Sequence, residues 1–302
     1  MPSSYLLTGA SGFLGKYIDG FLTSAGNQLT RIGRSNSSDI VCNLSTGVPE
    51  IHGVADVVVH AAGKAHIVPK TVAEKQDFFT VNLNGTINLC TALEGMPTKP
   101  ASLVFISTVA VYGIDAGENI DEQHPLGGCT PYALSKIAAE LYLKDWCQKH
   151  NVILSVLRLP LIAGNNPPGN LGAMINGVKT GKYFNINGGL AKKSVVMAGD
   201  LAKWIPVIAA QGGTYNLTDG YHPSFAELAA VIAKQLRRPS PKNISLWAAN
   251  ALALAGNMLG NKAPINTVKL QKITATLTFN DGLARKAFGW NPQPVLEAFT
   301  IL

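Results

Sequence analysis

Short apolar runs alternate with longer helical patterns through the first two thirds of the chain. Tyr5-Leu6-Leu7, Leu29 to Ile32, Val54 to His60, Leu103 to Ile106 and Val152 to Leu159 have the length and composition of buried strands. Between them, Gly12 to Ala25, Phe78 to Glu94 and Pro131 to His150 carry apolar residues at helical spacing. That alternation predicts βαβ units on a parallel sheet, an α/β architecture. After Leu159 the texture changes. Pro160 and then Gly164-Asn165-Asn166-Pro167-Pro168-Gly169-Asn170 form a loop too rich in turn formers to continue the sheet. The boundary falls there: a doubly wound domain over 1–160 and a smaller mixed part over 161–302. A strand pattern returns at Thr214-Tyr215-Asn216-Leu217, so a stretch near 212–220 is expected to rejoin the first sheet, and Ser224 to Arg237 and Gly282 to Phe288 read as helices.

Composition narrows the partners. With 302 residues, 47% of them hydrophobic, the chain can bury a large core. A formal net charge of +7 favours anionic partners. Charged residues are only 14% of the chain, and no run of five or six basic residues occurs, which points to an anionic small ligand and away from nucleic acid. Cys42, Cys90, Cys129 and Cys147 show no C-x-x-C spacing and no metal-like pairing with the histidines, as expected for a reducing compartment without a bound metal. Met1-Pro2-Ser3-Ser4 leads directly into a strand pattern with no room for a signal peptide, so a cytoplasmic location is expected. Ile244 to Gly260 is the most membrane-like stretch. Ser245, Asn250 and Asn257 interrupt it, and it falls short of the ~20 apolar residues of a span, so no transmembrane segment is expected; it reads as a buried or surface-docking helix.

The candidate chemistry begins at Thr8-Gly9-Ala10-Ser11-Gly12-Phe13-Leu14-Gly15, between the first strand and the first helix. Glycines permit a tight turn and close backbone approach to phosphate, while free N–H groups and the positive helix end hold the anion. This is the place of a dinucleotide pyrophosphate in a Rossmann-type fold, and Gly9, Ser11, Gly12, Phe13, Leu14 and Gly15 are the expected contacts. NAD enzymes usually carry an acidic residue at the end of the second strand. Gly33-Arg34 stands there instead, and a guanidinium can pair with a 2′-phosphate, so NADP is the expected cofactor, with NAD possible. Asn43 and Leu44, at the end of the third strand, are placed at the adenine edge.

Thr130-Pro131-Tyr132-Ala133-Leu134-Ser135-Lys136 reads as a helix start, with Thr130 as cap and Pro131 in the first turn. The spacing sets Tyr132 and Lys136 on one face, where an ammonium is expected to favour the ionised phenol. At this point the chain resembles the extended short-chain dehydrogenase/reductase family, the epimerases, dehydratases and reductases of nucleotide-activated sugars. The motifs run from Thr8 to Gly15 through Asp56 to Ala62, Val81 to Thr86, Ser107-Thr108 with Val111-Tyr112-Gly113, Tyr132 to Lys136, and Phe288 to Pro292. The resemblance implies Tyr132 as catalytic acid/base, Lys136 holding the nicotinamide ribose as well, and Thr108 hydrogen-bonding the reacting oxygen. It also implies that Ser107, Asn82, Leu159 and the turn Ala61-Ala62-Gly63 face the cofactor. Val109-Ala110 replaces the Asp-Glu pair of the sugar 4,6-dehydratases, which argues against simple dehydration.

For the substrate, the resemblance implies a nucleoside diphosphate held by Asn170 and by Lys193, where the family usually has Arg, with Lys64 and His66 facing the sugar. Leu161 stands where many epimerases carry Asn. The implied partner is a nucleotide-diphosphate sugar, the implied reaction 4-ketoreduction or 4-epimerisation in surface-polysaccharide assembly, and the implied assembly a homodimer through 82–94 and 132–149. Two alternatives stay open: a reductase of a lipophilic alcohol or ketone without a nucleotide, and a catalytically silent NADP sensor. His60 reads as a satisfied core histidine and Asp200 as the cap of the helix containing Leu201 to Ile208.

Overall fold

A computed structural model describes residues 3–65, 67–258 and 265–301. The first half forms β1 (Ser4–Thr8), α1 (Phe13–Ser24), β2 (Gln28–Gly33), β3 (Ile40–Val41), β4 (Val57–His60), α2 (Val72–Phe79), α3 (Gly85–Glu94), β5 (Ser102–Thr108), β6 (Gly117–Ile120), α4 (Pro131–His150) and β7 (Ile153–Leu159). There follow β8 (Leu161–Ala163), α5 (Gly169–Lys179), β9 (Asn185–Ile186), β10 (Val195–Met197), α6 (Ala198–Gln211), β11 (Gly213–Asn216) and α7 (Phe225–Gln235). The chain closes with β12 (Asn243–Ile244), α8 (Leu246–Met258), α9 (Thr267–Thr274), β13 (Leu277–Phe279), α10 (Gly282–Phe288) and α11 (Val295–Ala298).

The main sheet has seven strands, all parallel, in the order β11-β7-β5-β4-β1-β2-β3. Strand order reverses between β1 and β4, which opens a crevice at their carboxyl ends. Helices cover both faces, as a Rossmann-type fold requires. On one face Ile18 and Leu22 of α1 pack with Leu201, Ile205 and Ile208 of α6 and with Trp290. On the other, Leu89 and Leu93 of α3 meet Ala139, Leu143 and Trp146 of α4. A separate core joins α5, α7, α11 and the β8–β10 pair. Because α6, β11 and Trp290 belong to the first core, the chain crosses back after building part of the second.

Several elements differ from the sequence expectation for identifiable reasons. The strand expected from Val54 starts at Val57: Val54 is exposed, and the Asp56 carboxylate is taken by the Ser4 N–H and hydroxyl, each at 2.8 Å. The helix expected over 78–94 is interrupted by a π-helical turn over 80–84, which turns Asn82 inward. Such turns mark places where a side chain has been re-aimed. Asn170 belongs to the first turn of α5 rather than to a loop. Asp200 does not cap its helix. It lies inside the first turn of α6 and accepts from the Gln293 N–H at 2.8 Å.

Candidate active site

Gly9 follows β1 at φ +76°, and a Cβ there would come within 2.6 Å of the Ala62 nitrogen, so the loops after β1 and β4 touch through backbone. A Cβ on Gly15 would fall 1.9 Å from the Gly9 carbonyl oxygen. The Gly12 N–H donates to that carbonyl at 2.9 Å and closes the turn. Gly12 caps α1 without a side-chain hydrogen bond, and no acidic residue stands in the first turn. The first N–H groups of α1, those of Phe13 and Leu14 included, thus lie at a positive helix end with no competing side chain. Together with Ser11 they fit a dinucleotide pyrophosphate in the crevice between β1 and β4.

At the end of β2 the two arginines differ. Arg31 is held by Asp19 through Nε at 2.9 Å and Nη2 at 2.7 Å, and reaches Asp39 at 3.4 Å. Arg34 is exposed, and no described residue forms an ion pair with it. Asn43 Oδ1 accepts from the Ser45 hydroxyl at 2.9 Å, and the Leu44 carbonyl accepts from the Asn88 side chain at 2.7 Å, which fixes this short loop beside the crevice.

The other wall comes from β5 and α4. Thr130 caps α4 by accepting from the Ala133 N–H at 3.2 Å, and Pro131 occupies the first turn. Tyr132 and Lys136 then face the end of β5: the Lys136 ammonium donates to the Ile106 carbonyl at 2.8 Å, and the Tyr132 hydroxyl lies near enough to Thr108 for that side chain to act on its titration. Thr108, Tyr132 and Lys136 are thereby brought together. Burial dominates both titrations. It pulls Lys136 down to about 8, with the Glu140 carboxylate opposing. It raises the Tyr132 phenol, with Thr108 opposing; the lowering expected from the Lys136 ammonium is not among its causes, and that ammonium is turned to the Ile106 carbonyl.

Around this pair lies a network of polar groups that find partners inside the protein. Ser107 is the strand neighbour of Thr108, and its hydroxyl donates to Glu140. A contact between Ser107 and a cofactor therefore falls to its backbone. Glu140 pairs with Arg158 at 2.7 Å, both buried; Arg158 reaches the Tyr112 hydroxyl at 3.2 Å, which donates to Asn216 at 2.8 Å. Glu140 and Arg158 escaped the sequence reading. Their signals were present: Glu140 lies one turn beyond Lys136, and Arg158 is the lone charge in an apolar strand.

His60 is a core residue with a determined tautomer. Thr86 donates to the Asn82 carbonyl at 2.6 Å, so its oxygen accepts from His60 Nε2–H at 2.9 Å. His60 Nδ1 then accepts from the Thr8 hydroxyl at 2.7 Å, and Thr8 accepts from the Ala62 N–H at 3.1 Å. Burial, helped by Lys136, pulls His60 down to about 3. Asn82 organises the next turn: Oδ1 accepts from the Lys64 N–H at 2.7 Å, and Nδ2 donates to the Lys64 carbonyl at 3.1 Å and to Ser135 at 2.9 Å. A Cβ on Gly63 would press to 3.1 Å from Asn82 and 3.3 Å from Lys136, so Ala61-Ala62-Gly63 must run close against both. Leu159 is buried beside Thr108 across the β5–β7 pairing.

The residues expected at the substrate end are more dispersed. The Lys64 side chain pairs with Asp77 at 2.9 Å. His66 lies outside the described residues. Asn170 is exposed on α5. Lys193 is half-buried just before β10. Burial pulls it down to about 8, and the Lys272 charge adds to this while Asp115 opposes it. Lys272 pairs with Asp115 at 3.3 Å, so two cations share one carboxylate. Among the described residues, no cluster of histidine, cysteine or carboxylate side chains could hold a metal ion.

The model of the NAD dependent epimerase/dehydratase family matches residues 5–218. A relative in Escherichia coli O157:H7, N-acetyl-alpha-D-glucosaminyl-diphospho-ditrans,octacis-undecaprenol 4-epimerase, is 27% identical over 93% of this chain and 88% of its own. Among solved structures, UDP-glucose 4-epimerase from Bifidobacterium longum in complex with NAD+ and UDP superposes with a TM-score of 0.73 at 20% identity, covering 98% of this chain and 95% of the other. RMD from Pseudomonas aeruginosa complexed with NADPH gives 0.70 at 20% identity, over 98% and 94%. At that identity the likeness shows the fold.

Proposed function

Because this chain belongs to the NAD dependent epimerase/dehydratase family and is an enzyme of the short-chain dehydrogenase/reductase type, we propose that it interconverts an alcohol and a ketone at C4 of a hexose carried on a diphosphate. The observation that carries this reading is the meeting of Thr108, Tyr132 and Lys136 where β5 ends and α4 begins. When bound, the nicotinamide accepts or supplies the hydride. The protein's own work is proton transfer and positioning. Tyr132 exchanges a proton with the sugar oxygen, Thr108 hydrogen-bonds that oxygen, and Lys136, with its carbonyl and carboxylate neighbours, holds the nicotinamide ribose. The loop from Gly9 to Gly15 holds the pyrophosphate, and Asn43, Leu44, Ala61 to Gly63, Asn82, Ser107 and Leu159 line the cofactor's path. Lys193 and Asn170 hold the diphosphate, with Lys64 and His66 toward the sugar.

Two outcomes share this chemistry. An epimerase returns the hydride to the other face and regenerates its cofactor in each cycle; a reductase must exchange it. Reduction is favoured by the open Arg34, which suits the 2′-phosphate of NADPH, by Leu161, and by a Tyr132 that burial keeps as the proton-bearing phenol. Epimerisation is favoured by the reaction named for the Escherichia coli relative. That name also supports a second reading of the carrier, a lipid diphosphate in place of the nucleoside diphosphate. Purified enzyme is incubated with a UDP-4-keto-6-deoxy-hexosamine and NADPH, and separately with UDP-sugars and no added cofactor. Stoichiometric NADPH consumption in the first tube, with no C4 inversion in the second, is the expected result; inversion without added cofactor makes the protein an epimerase, and inactivity in both tubes rejects a nucleotide-linked substrate. A homodimer fits the outward face of α4, where Leu134 and Leu141 lie two turns apart and are exposed. A cytoplasmic place in surface-polysaccharide assembly suits a substrate of this class.

A further inference from the structure

Helix α8 is built inside out. The residues it buries are the small ones, Ala249, Ala253 and Gly256. The residues at 247, 251, 254 and 258, which follow one another along a single ridge, are Trp247, Ala251, Leu254 and Met258, and all four face outward. Trp247 is 80% exposed and Met258 90%. A helix bordering water places polar residues there, yet α8 carries no charged residue along its length. Helix α9 packs against it through Leu270 and adds an exposed Val268 to the apolar surface.

The segment that builds this surface carries charge of one sign. From Leu228 to Asn280 the sequence holds seven Lys and Arg and no Asp or Glu, so this stretch alone carries a charge equal to the chain's formal net charge of +7. Arg237, Arg238 and Lys242, just before α8, are exposed. An exposed apolar ridge on a basic segment, whose cations meet a carboxylate at Lys272 through Asp115, complements an anionic phospholipid surface, where the tails accept the apolar groups and the headgroups the cations. Insertion is shallow, because among the described residues no helix is long and apolar enough to cross a membrane.

We infer that α8 and α9 dock this protein on an anionic bilayer, with the Trp247 indole at headgroup level and Leu254 and Met258 in the acyl boundary. The far end of α9 reaches the substrate side, since Lys272 pairs with Asp115 at 3.3 Å beside Lys193. Docking therefore brings the diphosphate end of the site to the membrane surface. That consequence rests on the functional reading above; the docking itself does not, and vesicle binding is measured without substrate or cofactor.

The full chain is sedimented with vesicles of phosphatidylcholine alone and of phosphatidylcholine with phosphatidylglycerol. Trp146 and Trp290 are buried and Trp204 half-buried, so a change in tryptophan emission reports mainly on Trp247. Binding to the anionic vesicles with a blue shift, and weak binding to the neutral ones, is expected. The W247S/L254S variant, altered only at exposed positions, should lose at least about tenfold in vesicle affinity at unchanged melting temperature and NADP affinity, and R237E/K242E should lose a similar factor. Three results overturn the proposal: no binding of the unaltered protein to anionic vesicles, equal binding by the variants, or light scattering that shows an oligomer dissolved by W247S/L254S, which would make a second copy the occupant of this face.

Discussion

Lys136 and Lys193 are both drawn to about 8, chiefly by burial, but they sit in regions of opposite character. Around Lys136 the polar groups are tied together: the Ile106 carbonyl accepts a hydrogen bond from its ammonium, and Glu140, facing both Lys136 and Arg158, accepts from Arg158 and Ser107, with Tyr112 next in the network. Around Lys193 a single carboxylate, Asp115, faces two cations. Among the described residues, the buried side-chain atom left without a hydrogen-bond partner is Asn185 Oδ1, on β9 in the smaller part of the chain. Buried polar groups that satisfy one another hold one geometry, which acid–base chemistry requires. The proposed cofactor half is thus preorganised, whereas in the proposed substrate half Lys193 and Lys272 share one largely exposed carboxylate.

The largest test of that contrast removes the proton carrier and nothing else. Tyr132→Phe keeps the ring, which packs 6.1 Å from Phe78 between centroids, and should leave folding and cofactor affinity unchanged while turnover falls by about 10²–10⁴. Steady-state kinetics and a cofactor titration decide it, and unchanged turnover removes Tyr132 from the mechanism. A smaller effect probes the self-sufficiency of the cofactor half. His60 is neutral when folded, at about 3, against about 6.5 in the unfolded chain, so stability is complete above pH 6.5 and declines below it as the unfolded chain takes up the proton first. Between pH 6.5 and 5 the loss should be about 2 kcal/mol. His60→Gln, which keeps a donor and an acceptor, should flatten that part of the profile in denaturant melts; an identical slope in both proteins would place the titration elsewhere. Smaller again, Arg34→Ala should weaken NADP by about tenfold to thirtyfold and NAD hardly at all, on the scale of a charge-assisted hydrogen bond. Equal losses in isothermal titrations with the two cofactors would leave Arg34 without a role in choosing between them.

The same contrast explains what could be read before any coordinates. The glycine loop, the Tyr132–Lys136 spacing and the hydroxyl at the end of β5 are local patterns imposed by strand and helix periodicity, so they were legible, and with them the doubly wound sheet. The π-helical turn at Asn82 was not, because it is imposed by distant partners, Lys64 and Ser135, and propensity carries no trace of them. Glu140 and Arg158 were hidden for a related reason: their pairing joins a helix to a strand. The rise of the Tyr132 phenol reversed an argument from spacing alone, since burial is set by the whole fold. At the proposed substrate end, Lys64 was expected to face the sugar and is held by Asp77, while the closeness of Lys272 to Lys193 joins residues far apart in the sequence.

The final prediction separates the two lysines. Since both titrate near pH 8, activity should fall above that pH for two reasons at once. Lys193, before substrate arrives, loses the charge that attracts a diphosphate, so its titration should raise KM. Once an anion is bound the ammonium is stabilised and the titration moves upward, so saturating substrate hides it. Lys136 stays in its enclosed network whether or not substrate is present, so its titration should lower kcat. Lys193→Arg breaks the coincidence, because a guanidinium stays charged throughout the range. In that variant the rise of KM between pH 7.5 and 9 should disappear while the fall of kcat persists. Lys193→Gln should raise KM at pH 7 by several-fold, up to about tenfold, with kcat nearly unchanged, the effect of losing one charge-assisted contact at a half-exposed site. A KM that ignores both pH and the Gln substitution would remove Lys193 from the substrate site and leave its charge to the interplay of Asp115 and Lys272 alone.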